Sequence, residues 1–160
     1  MSDEISPRTG EMAPDFELPN VRGGCFRLSV HRGDRPVLIT FGSITGRRAA
    51  GVKPALLHLF SDFIDRLEVV TVYVREEHPS EQYPQPTDLD RKKLHASDWV
   101  EVARIPWTVV VDGLEGEVEE LYGSRPDAAC LVGSDGRVVF HGPWDGDEAS
   151  LRGRVEALLG

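Results

Sequence analysis

Residues 37 to 49 constrain the fold of this chain more than any other stretch. Val37 to Phe41 is a bounded apolar run rich in β-branched side chains, the pattern of a strand buried on both faces in mid-sheet. Residues 42 to 46, Gly-Ser-Ile-Thr-Gly, are too short and polar to extend it. Beyond Gly46 the pattern turns helical, with Leu56, Phe60, Phe63, Ile64 and Leu67 spaced by threes and fours. A strand that runs straight into a helix sets that helix's free N–H groups at the C-terminal edge of the sheet, where open α/β sheets do their chemistry.

Composition narrows the class of function. The 160 residues suit one domain, and a net charge of −9 with scattered Lys and Arg argues against a nucleic-acid partner. No apolar run approaches a membrane span, and the polar start has no signal-peptide pattern, so the expectation is a cytoplasmic protein that does not span a membrane. Cys25 and Cys130 are the only cysteines, at a spacing that fits no metal or redox motif. Glu76, Glu77, His78 and His141 show no metal-ligand spacing, so neither metal nor cofactor is expected.

Taken in order, residues 1–12 read as a flexible leader and 13–160 as one domain. Gly23 and Gly24 mark a turn. Gly51 and Pro54 interrupt the helix after Gly46, so its regular part is predicted from Pro54. Residues 68–74 form a second core strand ending at the same edge as Gly46 if the two run parallel. The proline-rich residues 79–87 form a loop or lid. A helix follows over about 88–103, capped at Thr87, with Leu94 and Val102 on its apolar side. A strand at 107–112, a short helix at 116–122, a hairpin of 128–132 with 137–140 turned at Ser134 to Gly136, and a closing helix at 149–159 complete the chain.

Two segments carry a family resemblance. Phe41-Gly42-Ser43 with Thr45, followed by Tyr73, Glu76 and His78 at the end of the second strand, resembles the iodothyronine deiodinases, a branch of the thioredoxin-like redoxins. The segment from Ala13 to Pro19 resembles the redoxin entrance. The resemblance implies an α/β thioredoxin-like fold, a central mixed sheet flanked by helices with an N-terminal redoxin-type β-hairpin. It also implies a cis proline at Arg125–Pro126 facing the reactive centre. The family's cysteine falls on Ile44, and its nucleophilic selenocysteine or cysteine on Gly46. The further histidine and arginine that help hold an iodothyronine have no counterpart in register within residues 85–89 and 141–144.

By that resemblance, Tyr73, Glu76 and His78 would be the groups that move protons, with Glu76 beside His78 fixing its tautomer. Gly46 leaves the helix end open, so Gly46, Thr45, Arg47 and Arg48 are read as a place for a ligand anion, with Pro126, His141 and Trp144 completing the pocket and Trp144 or Tyr83 stacking on an aromatic ring. The expected function is non-redox His/Glu acid–base catalysis on a small aromatic or polycyclic anion. Two alternatives stand beside it: a pseudoenzyme that binds a small molecule or protein without turnover, and a residual thiol oxidoreductase using Cys25 or Cys130. A homodimer is left open.

Overall fold

The computed structural model of the chain describes residues 5–160. In chain order the elements are β1 (Glu17–Pro19), β2 (Cys25–Arg27), a 3-10 helix (Leu28–His31), β3 (Val37–Gly42), α1 (Ala49–Asp62), β4 (Glu68–Tyr73), α2 (Leu89–Ala103), β5 (Thr108–Val111), α3 (Glu117–Leu121), β6 (Ala128–Val132), β7 (Val138–Pro143) and α4 (Glu148–Leu159). The main sheet has the order β5-β4-β3-β6-β7, and β1 and β2 form a separate antiparallel hairpin. This is the mixed, helix-flanked sheet with an entrance hairpin that the sequence implies.

The apolar run of β3 is central because it must be covered on both faces. It pairs in parallel with β4 and antiparallel with β6. Alternation then divides the core. Leu38 lies on one face with Val69, Val109 and Leu131, under Leu56 and Leu59 of α1, Trp99 of α2 and Leu151 of α4. Ile39 and Phe41 lie on the other with Val70 and Cys130, under Phe16, Phe26 and Tyr122. Each fully buried Leu or Val stabilises by roughly 1.5–3 kcal/mol relative to exposure.

Three local expectations about the helices change. Helix α1 runs from Ala49 straight through Gly51, with Pro54 inside it; proline there removes only the bond to the Ala50 carbonyl, near the helix start. Helix α2 is capped by Asp88, whose carboxylate accepts from the Arg91 N–H at 2.7 Å, and not by Thr87. Its buried side is Lys92, His95, Ala96 and Trp99, whereas Leu94 is 55% and Val102 74% exposed. Of the residues read as a leader, 5–12 lie along β7: Ile5 is buried, Gly10 N–H donates to the Val138 carbonyl at 2.8 Å, and Met12 bridges to Arg137. Residues 1–4 fall outside the described residues.

Candidate functional site

The register of the two central parallel strands builds the site. Gly42 of β3 is level with Tyr73 of β4, so the turns that follow, 43–46 and 74–77, meet at one sheet edge. The Tyr73 hydroxyl reaches across, accepting from the Ile44 N–H at 3.1 Å and donating to Glu76 Oε2 at 2.5 Å. Thr45 donates its hydroxyl to Glu76 Oε1 at 2.7 Å and its N–H to the same oxygen at 3.4 Å. His95 completes the set, its Nδ1 lying 2.9 Å from Glu76 Oε2.

Buried carboxylates persist only when several donors replace the lost water, and Glu76 has them from three side chains and a backbone N–H. Burial, and then the Glu76 hydrogen bond, push the Tyr73 phenol well above its usual value, so Tyr73 stays a neutral donor. Gln85 closes the turn from the 79–87 loop: its Oε1 accepts from the Glu76 N–H at 2.9 Å and its Nε2 donates to the Glu76 carbonyl at 3.3 Å.

Beside this network lies a cavity of about 380 Å³ between α1, α2 and the start of β6, in the size range of small-molecule sites. It reaches Gly46, and all three tryptophans of the chain, Trp99, Trp107 and Trp144, line it. Most of its wall is apolar, with Arg48 and Lys53 as the cations on it.

The family profile for iodothyronine deiodinase matches residues 4–158. This chain belongs to the iodothyronine deiodinase family. It is 27% identical over 124 residues to the type II iodothyronine deiodinase of Fundulus heteroclitus, covering 69% of this chain and 47% of that protein. It is 28% identical over 149 residues to the thyroxine 5-deiodinase of Sparus aurata, covering 86% of this chain and 55% of that one. The chain thus spans about half the length of these relatives. Among solved structures, a protein described as a thiol:disulfide interchange protein DsbE of Chlorobium tepidum superposes with a TM-score of 0.74 at 23% identity, covering 97% of this chain and 100% of that one. An uncharacterised protein of Geobacillus kaustophilus gives 0.76 at 22% identity, covering 99% and 87%. These likenesses make the fold thioredoxin-like.

Within this deiodinase-family chain the expected site residues separate. Gly46, Arg48, Pro126 and Trp144 all line the cavity. Tyr73, Thr45 and Glu76 form the buried network. His78 does not pair with Glu76: its ring is exposed, and only its N–H is tied down, donating to Thr45 Oγ1 at 3.2 Å. The partner of Glu76 is His95. Strand β4 ends at Tyr73, so the two-residue alternation that would set positions 76 and 78 on one side stops before them. The signal for His95 was its place in the Lys92, His95, Ala96, Trp99 stripe, spaced like a core face although two of its members are polar.

Arg47 is exposed. His141 lies on the other side of the sheet from the cavity, edge-on to Tyr122, with Nδ1 donating toward the carbonyls of Ile5 and Pro7 at 3.1 and 2.8 Å. Its place in β7, level with Cys130, fixes that side. Tyr83 packs edge-on against the His95 ring and donates to Asp98, so it covers the network and not the cavity. Arg125–Pro126 is trans; among the described residues Ser6–Pro7 is the cis bond. The Ala128 N–H closes a turn on the Arg125 carbonyl, which puts Pro126 at the second position of the turn, where trans proline fits; a cis proline belongs one position later.

Glu77, which the sequence offered only among possible metal ligands, stands beside Gly46. A Cβ on Gly46 would lie 2.8 Å from Glu77 Oε2, so the space beside Gly46 holds a carboxylate. Cys130 is buried, its thiol pushed up to about 12 by desolvation, and Cys25 is exposed on the hairpin; both are free. Among the described residues no helix is long and apolar enough to cross a membrane, and no group of three or more His, Cys, Asp or Glu is placed to hold a metal ion.

Proposed function

We propose that this chain binds a small aromatic molecule, weakly anionic or polar at one end, in the cavity between α1 and α2, and that it does so without the thiol or selenol chemistry of a deiodinase. The observation that carries this reading is the cavity itself: apolar, lined by all three tryptophans, and reaching Gly46, where a carboxylate stands and no sulfur does. Aromatic walls with a few charges at one end suit a planar ligand with a polar end group. The relatives named above are thyroxine and iodothyronine deiodinases. On this chain that reaction would need a chalcogen nucleophile at position 46, and a glycine offers none. A thiol route through Cys130 is disfavoured, because its thiol is neutral and enclosed in the second core.

Saturable quenching of tryptophan fluorescence by 2-naphthoic acid, together with no iodide release from thyroxine in the presence of dithiothreitol, is the expected result. Iodide release that survives Cys25→Ser/Cys130→Ser would overturn it.

A second reading, proton transfer on the bound molecule, is favoured by Glu77. Glu76 already accepts from Tyr73, Thr45 and His95, so its lone pairs are taken. Glu77 is half-buried and stands beside Gly46, a residue of the cavity wall, and is better placed than Glu76 to take a proton. Turnover of a ligand lost in Glu77→Gln but kept in His78→Ala would support this second reading.

A further inference from the structure

The inner end of the cavity carries three polar groups that do not balance. Thr40, Thr71 and Trp107 all line it, and each is at most 5% exposed. The Trp107 indole N–H donates to Thr71 Oγ1 at 2.9 Å, and Thr71 Oγ1 lies 2.7 Å from Thr40 Oγ1. These groups bring three hydrogens, one on the indole and one on each hydroxyl, to two hydrogen bonds. If Thr71 donates to Thr40, the Thr40 hydrogen is left over; if Thr40 donates, the Thr71 hydrogen is. Either way one buried hydroxyl hydrogen has no acceptor among the protein groups around it. A buried donor left unmade is costly, and the open space next to this one is the cavity.

Resting on the binding reading above, we infer that the cavity selects ligands with a hydrogen-bond acceptor at the buried end, a carbonyl, quinone or ether oxygen on an apolar ring. The occupant then has two unlike ends: an acceptor received by the Thr40/Thr71 pair and an anionic or polar group toward Arg48 and Lys53. Purely hydrocarbon ends leave the surplus hydrogen unpaired. Ligands whose buried end offers only a donor can meet a hydroxyl lone pair but still leave the surplus hydrogen without an acceptor.

A matched pair of probes tests this: 6-acetyl-2-naphthoic acid and 6-isopropenyl-2-naphthoic acid, alike in shape and differing in a carbonyl oxygen against a methylene group. Titrated by calorimetry against the full chain, the ketone should bind on the order of tenfold more tightly, the worth of about one hydrogen bond. In Thr40→Val/Thr71→Val/Trp107→Phe, which removes every polar group of the set, the two threonine changes being nearly isosteric, the preference should vanish or reverse while the alkene still binds. Equal affinity of the two probes for the unaltered chain overturns the inference and leaves the binding reading standing. If neither probe binds the unaltered chain, the binding reading falls and takes the inference with it. Since the comparison on the unaltered chain already decides, a triple variant that fails to fold does not shield the claim.

Discussion

Glu77 and Gly46 face each other across the sheet edge: a Cβ added to Gly46 would meet Glu77 Oε2 at 2.8 Å and the Ser43 carbonyl oxygen at 3.1 Å. The carboxylate is the far end of a flexible side chain and can swing away, whereas the carbonyl is backbone and can yield only by a few tenths of an ångström. A residue with a side chain at position 46 therefore has to displace an acid, and if it is ionisable it titrates next to a negative charge.

A thiol introduced as Gly46→Cys is accordingly expected to ionise above the ordinary cysteine value, because the neighbouring carboxylate disfavours a second anion. Adding Glu77→Gln removes that charge and should bring the thiol down. The pH dependence of alkylation by iodoacetamide in a Cys25→Ser background measures both, with Cys130 silent because its thiol is buried and pushed up to about 12. Identical profiles for the single and double variants at position 46 would mean that Glu77 does not stand where the geometry has it.

Removing the Glu76 side chain should cost far more stability than removing His78. Glu76→Ala strands the Tyr73 and Thr45 hydroxyls and the His95 ring in a buried space, a loss of roughly 3 kcal/mol or more. Glu76→Gln keeps the shape and one carbonyl acceptor and should fall between that value and the unaltered chain. His78→Ala, at an exposed ring, should stay within about 0.5 kcal/mol. Urea unfolding of the three variants gives the order, and a costly His78→Ala would restore the pairing read from the sequence.

What could be read from the sequence follows the range over which each residue's environment is set. Val37 to Phe41 announces a central strand because two-sided burial leaves an unbroken apolar run, and Ser134 to Gly136 announces a hairpin because its turn chemistry is local. The buried side of α2 was hidden because Lys92 and His95 are held by partners distant in sequence: Lys92 Nζ donates to the Gly113 carbonyl at 2.9 Å, and His95 meets Glu76. Periodicity finds apolar faces and passes over polar residues whose burial is made good elsewhere in the fold. The same limit separates the site residues. Gly46 and Trp144 were placed by the strand-to-helix turn and the end of the last strand, whereas Glu77 and His95 needed the level pairing of Gly42 with Tyr73.

Glu119 should give the chain a pH dependence of stability that is opposite to the usual carboxylate case. Burial lifts its carboxyl above the ordinary glutamate value of 4.5, with Asp112 adding and Lys92 opposing. The folded state then holds the Glu119 proton more tightly than the unfolded state. Its stabilising contribution is fully present below about pH 4.5 and is lost as pH rises through the folded-state value. Glu119→Gln does not ionise, so it should melt higher than the unaltered chain at about pH 8 and with no difference at about pH 4. Burial also lowers the Lys92 ammonium from its usual value, with Asp112 and Glu119 opposing. A gain in melting temperature equal at both pH values would show that the effect is packing and not ionisation.

Arg48 provides the test of the cavity's charged end. Its guanidinium donates to the Trp144 carbonyl at 3.3 Å, leaving other N–H groups free to meet a ligand, while the Lys53 ammonium is engaged with the Ala103 carbonyl. Arg48 is exposed, so an ion pair there is screened and contributes under about 1 kcal/mol. Arg48→Gln should therefore weaken 2-naphthoic acid only by about two- to fivefold, and raised salt should do the same to the unaltered chain. 2-Naphthamide, equal in shape and without charge, should bind both chains alike and be indifferent to salt. If the amide loses as much as the acid, Arg48 acts by shaping the cavity wall and the ligand's anionic end lies elsewhere.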